Sequence, residues 1–238
     1  MRSSPSLPDR RDVPVGARPQ LRLVHGFGKG GWHPEAPGKN RPQQHVIRPE
    51  AGLRQAREDQ RPVIAQVHGF CLAGGSELAT GCDVVYMAED AQMGYPAVRF
   101  GVPDMQFHAW LVGMRRGMEM MLTGDSIDGI EAEKRGWATR AFPAEELEAK
   151  TLEYAQRMAA LPPDIVQLNK RAVHRQMSIM GLRDGIRQGT ELCSLAIHQP
   201  SFKEFIGQTG KGSGKLTSAL QKRDEKFGDY RTGDSKES

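Results

Sequence analysis

The chain of 238 residues has no apolar run near the roughly 18–20 residues that a membrane-spanning helix needs, so no helical span is expected. Cysteine is scarce. Cys71, Cys82 and Cys193 are too few and too scattered for a disulfide framework or a zinc site. The first twenty residues lack the apolar stretch of a secretory signal. Together these features predict a reducing, cytoplasmic setting. Net charge is also small, at +4, and it is unevenly spread. Residues 1–61 carry 12 Lys+Arg against 6 Asp+Glu, whereas the remainder carries 21 against 23. A nucleic-acid protein more often places a basic stripe on its folded body, so no nucleic-acid partner is expected.

What the chain does have is 38% hydrophobic and 26% charged residues, a balance that suits a globular core. The leader, residues 1–61, holds 8 of the 15 prolines and reads as a poorly ordered segment, with a short strand only at Gln20–His25. An α/β core is expected over 62–143, a helical region over 144–230 and a polar tail over 231–238. Val63–His68 and Val84–Ala88 read as buried strands. Gly69–Gly75 reads as a turn, and Ser76–Thr80 as a short helix. Ala91–Gly94 and Val98–Phe100 read as extended pieces. A helix opens at Pro103–Asp104 and runs towards Arg116, and another covers Gly117–Leu122. Asp128 caps a helix that Gly136 closes. Trp137–Phe142 reads as a last strand. Helices follow over Ala144–Ala160, from Pro163 through Ile179 towards Ile197, and over Leu216–Phe227.

The densest segment is VHGFCLAGGSELATGCD, residues 67–83. A strand feeds a glycine turn, and the turn feeds a helix. Amides at such a junction have no partner within the helix, and Gly74 and Gly75 lack the side chains that would hold a ligand away. An oxygen developing negative charge there would be stabilised, with Glu77 close by to move a proton. A tight packing turn, with Glu77 merely favouring the helix dipole, explains the same residues.

The stretch RPVIAQVHGFCLAGGSELATGCDVVYMAEDAQMGYPAVRFGVP closely resembles the core of the crotonase (enoyl-CoA hydratase/isomerase) family. TGDSIDGIEAEKRGWATRAFP looks like a later signature of that family, and LQKRDEKFGDY is similar to its closing helix. The resemblance covers roughly residues 61–230. It implies an α/β fold, a crotonase-like spiral of β-β-α turns followed by a helical C-terminal assembly region. It implies an acyl-CoA thioester substrate, no cofactor beyond the coenzyme A of that substrate, and a homotrimer or homohexamer. Gly74 would be one oxyanion-hole donor and Glu77 the first catalytic glutamate. Phe70, Leu72, Ala73, Pro96 and Ala97 would line the acyl-thioester end of the site.

Two departures from the family pattern stand out. Twenty positions after Glu77, where hydratases carry a second glutamate, this chain has Ala97, which puts classical hydration in doubt. Asp104 would be a substitute acid/base, or an ordinary helix cap. The family's other oxyanion donor comes from an earlier strand and loop, for which residues 1–61 offer no convincing match. Without it, strand 63–68 would have an open edge, and the chain would be a catalytically silent crotonase-like subunit. Among other candidates, His68 reads as a packed or supporting histidine rather than a general base, and His108 as a helix-surface partner of Asp104 rather than a proton relay with it. Ser76 has no identifiable His or Asp partner. Cys71 reads as a small buried hydrophobe. Met114, Met118, Met120 and Met121 read as core filler. Lys222, Arg223 and Lys226 read as a solvated basic face.

Overall fold

The computed structural model describes residues 22–25, 61–101, 107–209, 213–225 and 227–228. Most of the leader, Asp104 with the start of its helix, Lys226 and the tail lie outside the described residues. Within the leader, Arg22–His25 forms a strand, β1, inside the segment read as a short strand. Val63–Val67 forms β2, and all five of its residues are buried. A β-branched run of this length suits a strand covered on both faces.

Phe70–Leu72 (β3) is a short strand where a turn is expected. It leads into α1, Gly74–Thr80, and then into β4, Val84–Ala88. Next come β5, Gln92–Gly94, and a 3₁₀ turn over Pro96–Phe100. Helices α2 (Phe107–Val112) and α3 (Met114–Thr123) are followed by β6, Ser126–Ile127. α4 (Gly129–Arg135) leads to β7, Arg140–Phe142. The remainder is helical: α5 (Leu147–Ala159), α6 (Pro163–Ile179), α7 (Leu182–Ala196), α8 (Pro200–Thr209) and α9 (Ser213–Glu225).

One sheet is parallel throughout, in the order β1-β2-β4-β7. β1 pairs with β2 from Arg22 opposite Val63 to His25 opposite Gln66. The edge of β2 that a missing first strand would leave open is therefore occupied. The second sheet has the order β3-β5-β6, parallel and then antiparallel. The core lies between the sheets and the helices, where Ile64, Val67, Met87, Met93, Met120 and Trp137 are buried.

Several local readings need correction. Val98–Phe100 is not extended. Pro96 opens a 3₁₀ turn instead, and Gly101, at φ 87°, closes it with an N–H bond to Val98 O. The helix expected to reach Arg116 stops at Val112, because Gly113 at φ 84° breaks the ladder. Residues 137–139 are irregular, since the Trp137 and Ala138 amides both bond to Ala132 O and finish α4. Asp128 caps α4 as read, accepting the Glu131 amide at 2.8 Å.

Met120 is buried, but Met114 and Met118 are exposed, with Leu122 beside them. The reason is the helix crossing. A Cβ on Gly117 would stand 2.7 Å from Ala109 Cα, so α2 lies against the 117/120/121 face of α3. The 114/118/122 face points away.

Candidate active site

The site begins with strand pairing. β3 and β5 run in register, Leu72 opposite Gly94. One residue further on, the Ala73 amide donates to Gly94 O at 2.9 Å. Strand alternation turns Cys71 into the core and leaves Phe70 exposed. Burial pushes the Cys71 thiol well above its usual range, as suits an inert hydrophobe.

Ala73 has φ 50° and ψ −121°, outside the regions open to a residue with a side chain. Holding such a residue there costs about 1–3 kcal/mol, and such strain collects at functional sites. The conformation turns the chain sharply from β3 into α1. Its carbonyl accepts Ser76 Oγ at 2.7 Å and the Glu77 amide at 3.1 Å. Among the described residues, no acceptor takes the amides of Gly74 or Gly75.

Glu77 lies on the first turn of α1 and is 4% exposed. Gly74, Leu72 and Ala73 are half-buried. The Ala73–Gly94 bond also fixes the segment that follows β5, so the 3₁₀ turn begins just beyond the glycine turn. Pro96 and Ala97 are both buried there. Strand pairing thus sets Ala73 beside Gly94, two residues before the 3₁₀ turn that carries Pro96 and Ala97, while Gly74 and Glu77 follow on α1 and Phe70 is the exposed first residue of β3. Asp104 lies outside the described residues. An unspent backbone N–H beside a carboxylate can hold a developing oxyanion while a proton moves.

Several residues differ from their sequence readings or escaped them. His68 is exposed rather than packed. His108 is not on a helix surface but fully buried, with Nε2 3.4 Å from Ser76 Oγ. Ser76 therefore does have a histidine neighbour, 32 residues away in sequence. No local spacing signals that pair.

Arg99, on the 3₁₀ turn, also went unread. Its side chain is 1% exposed and bonds to Asp125, Asp224 and Thr123 O. The guanidinium sits 3.9 Å from the Phe227 ring centre. It thereby ties the segment after Ala97 to α9. Arg223 bonds to Asp224 and is largely covered, so it is not part of a solvated basic face.

Comparison with known proteins gives a consistent set of matches. The family model described as enoyl-CoA hydratase/isomerase matches residues 30–227. The mitochondrial enoyl-CoA hydratase of Pongo abelii is 30% identical over 174 residues, 71% of this chain and 56% of that protein. The chain spans about half the length of the curated relatives it matches. Among solved structures, the enoyl-CoA hydratase of Mycobacterium smegmatis superposes with a TM-score of 0.74 at 26% identity. That match covers 89% of this chain and 80% of the other. An enoyl-CoA hydratase/isomerase from Xanthobacter autotrophicus Py2 gives a TM-score of 0.67 at 30% identity, covering 75% and 66%. Among the described residues, no helix is long and apolar enough to cross a membrane.

Proposed function

The chain belongs to the enoyl-CoA hydratase/isomerase (crotonase) family, and from that premise we propose that it acts on enoyl-CoA thioesters, moving a carbon–carbon double bond through an enolate. The observation that carries the reading is the pairing of an unspent Gly74 amide with buried Glu77 on one strained turn. The thioester oxygen accepts the Gly74 N–H. Glu77 takes a proton from the α-carbon of a 3-enoyl-CoA. The C–H electron pair then flows towards the carbonyl, and the negative oxygen is held by the amide. Glu77, now protonated, returns its proton to the γ-carbon, and the double bond comes to rest between the α and β carbons. Atoms and charge balance, and one carboxylate serves both transfers. Asp104, which lies outside the described residues, would help as a second acid/base, and the steps call on no cofactor beyond the coenzyme A of the substrate.

Hydration is the poorer fit. It needs water activated on one side of the double bond and a proton delivered on the other. Two carboxylates do this well, and Ala97 occupies the second position. A silent subunit would lack the first strand and the loop that supplies the other oxyanion donor; β1 pairs with β2 along four residues, and the loop that follows it lies outside the described residues. The exposed apolar side chains of α6 and α7 support self-association, and the family resemblance makes a homotrimer, or a pair of trimers, the working assembly.

The test is direct. Purified protein should isomerise a 3-enoyl-CoA faster than it hydrates crotonyl-CoA, and Glu77→Gln should abolish isomerisation. No turnover of either substrate, or Glu77→Gln indistinguishable from wild type, would overturn the proposal.

A further inference from the structure

The Gly74 N–H and the Ala73 carbonyl belong to the same peptide unit. That unit is planar and trans, so holding one group aims the other in the opposite direction. The carbonyl is held twice. The bond from the Glu77 amide is the opening hydrogen bond that a helix makes in any case. The bond from Ser76 Oγ, at 2.7 Å, is not. It exists because residue 76 is a serine.

Ser76 is itself braced. It is 0% exposed, and its hydroxyl hydrogen is committed to Ala73 O. The remaining face of that oxygen meets His108 Nε2 at 3.4 Å, which makes the histidine the donor in this contact. His108 comes from α2 and is fully buried. Its ring stands edge-on to Trp137, with centroids 4.7 Å apart, and tilted against Tyr95 at 5.3 Å. A ring wedged between two aromatic side chains has little freedom to leave. A line of contacts therefore runs from α2 through His108 and Ser76 to the carbonyl of the strained residue. Ala73 would relax from φ 50° if that carbonyl were released, and the Gly74 amide would turn with it.

We propose that Ser76, backed by His108, is a positioning residue that aims the Gly74 amide at the thioester oxygen. This rests on the function proposed above. Ser76 acts through the Ala73–Gly74 peptide, so it governs how well the enolate is held, and ground-state binding much less.

The experiment compares wild type with Ser76→Ala and with Ser76→Cys, which is nearly isosteric and a weaker donor. Steady-state kinetics on a 3-enoyl-CoA should show kcat lowered about 10- to 100-fold in Ser76→Ala, with KM within about twofold. The second readout is the infrared band of a carbonyl-labelled enoyl-CoA, bound in a Glu77→Gln background where turnover is blocked. Binding should lower its frequency, and Ser76→Ala should move it back towards the value in water. A fully shifted band with wild-type kcat in Ser76→Ala overturns the proposal. If Ser76→Ala does not fold, Ser76→Cys decides by the same two measures. If the band fails to shift even with Ser76 intact, the assignment of Gly74 as oxyanion donor is what has failed. The positioning claim then falls with it, whereas a band that shifts with Ser76 intact and is unchanged by Ser76→Ala removes the positioning claim alone.

Discussion

The amide of Ala73 donates to the carbonyl of Gly94 across 2.9 Å, and this bond joins the turn that carries Glu77 to the segment that carries Ala97. Gly94 permits the approach of its other neighbour too, since a Cβ there would stand 2.8 Å from Ser126 Cα. The two positions that hold paired carboxylates in hydratases are thus structurally linked here, with only one acid present.

Ala97→Glu is therefore expected to add hydration to the repertoire. Residue 97 is 4% exposed, so a glutamate there would be buried and held close. General acid–base assistance is worth about 10²–10⁴ in rate. We expect crotonyl-CoA hydration to rise at least tenfold over wild type, read as loss of the enoyl thioester absorbance. A folded Ala97→Glu protein with unchanged hydration would show that position 97 does not face the reacting carbons.

The strain at Ala73 makes a separate prediction about stability. Replacing it with glycine removes a penalty of about 1–3 kcal/mol. The added freedom of the unfolded chain takes back about 0.4–1 kcal/mol. Ala73→Gly should therefore be more stable by about 1 kcal/mol, raising Tm by about 2–4 °C for a chain of this size. A lower Tm would show that the turn is not strained.

Much of the fold can be read locally, and the reasons are visible residue by residue. Val63–Val67 and Val84–Ala88 announce themselves through β-branched and apolar runs between turn residues. α4 is bracketed by a side-chain cap at Asp128 and by Gly136, at φ 76°. Gly74 and Glu77 stand out as candidates because strand, turn and helix follow one another in sequence. The rest depends on distance. Whether Met118 is covered or bare is decided by Gly117 meeting Ala109, which helical spacing alone does not reveal. Phe70–Leu72 is too short to show a period, and it is a strand only because β5 lies beside it. Ser76 and His108 meet across 32 residues, and Arg99 meets Asp224 across 125 residues.

A second distant contact leads to a pH prediction. Asp83 accepts the Val63 amide at 2.7 Å, Lys170 Nζ at 2.7 Å and His174 Nε2 at 2.9 Å, so it fastens α6 to the start of β2. Burial pushes its carboxyl up, but the bonds from His174, Lys170 and Val63 together outweigh this and hold it below the usual carboxylate range. A folded-state pKa below the unfolded value adds stability above the unfolded pKa of about 3.9. That stability is lost as pH falls through the folded value. Wild type should weaken on acidification below about pH 4. Asp83→Asn should be less stable at pH 7 by about 1–3 kcal/mol, because the largely covered ammonium of Lys170 loses its carboxylate partner. It should also lose part of the acid dependence. Denaturant melts at several pH values will measure both, and parallel curves for the two proteins would refute the assignment.

The assembly prediction comes from α6. Over its 17 residues none is buried. Ile165, Leu168, Val173 and Ile179 are all exposed, as are Leu192 and Leu195 on α7. Ile165, Leu168 and Ile179 recur at helical spacing, so they form one stripe. The opposite face already packs inward, since Lys170 and His174 reach Asp83. Water is a poor neighbour for such a stripe, and burying one leucine side chain is worth about 1.5–3 kcal/mol. A second copy of the same helices would cover it. We therefore expect the protein to sediment as an oligomer of the 26.3 kDa chain, its size the trimer or pair of trimers that the family resemblance implies. Leu168→Glu places a charge in the stripe while leaving Lys170 and His174 untouched. It should shift the population to single chains with a lower Tm. A wild-type protein that sediments as one 26.3 kDa chain at micromolar concentration would refute the prediction and leave the stripe unexplained.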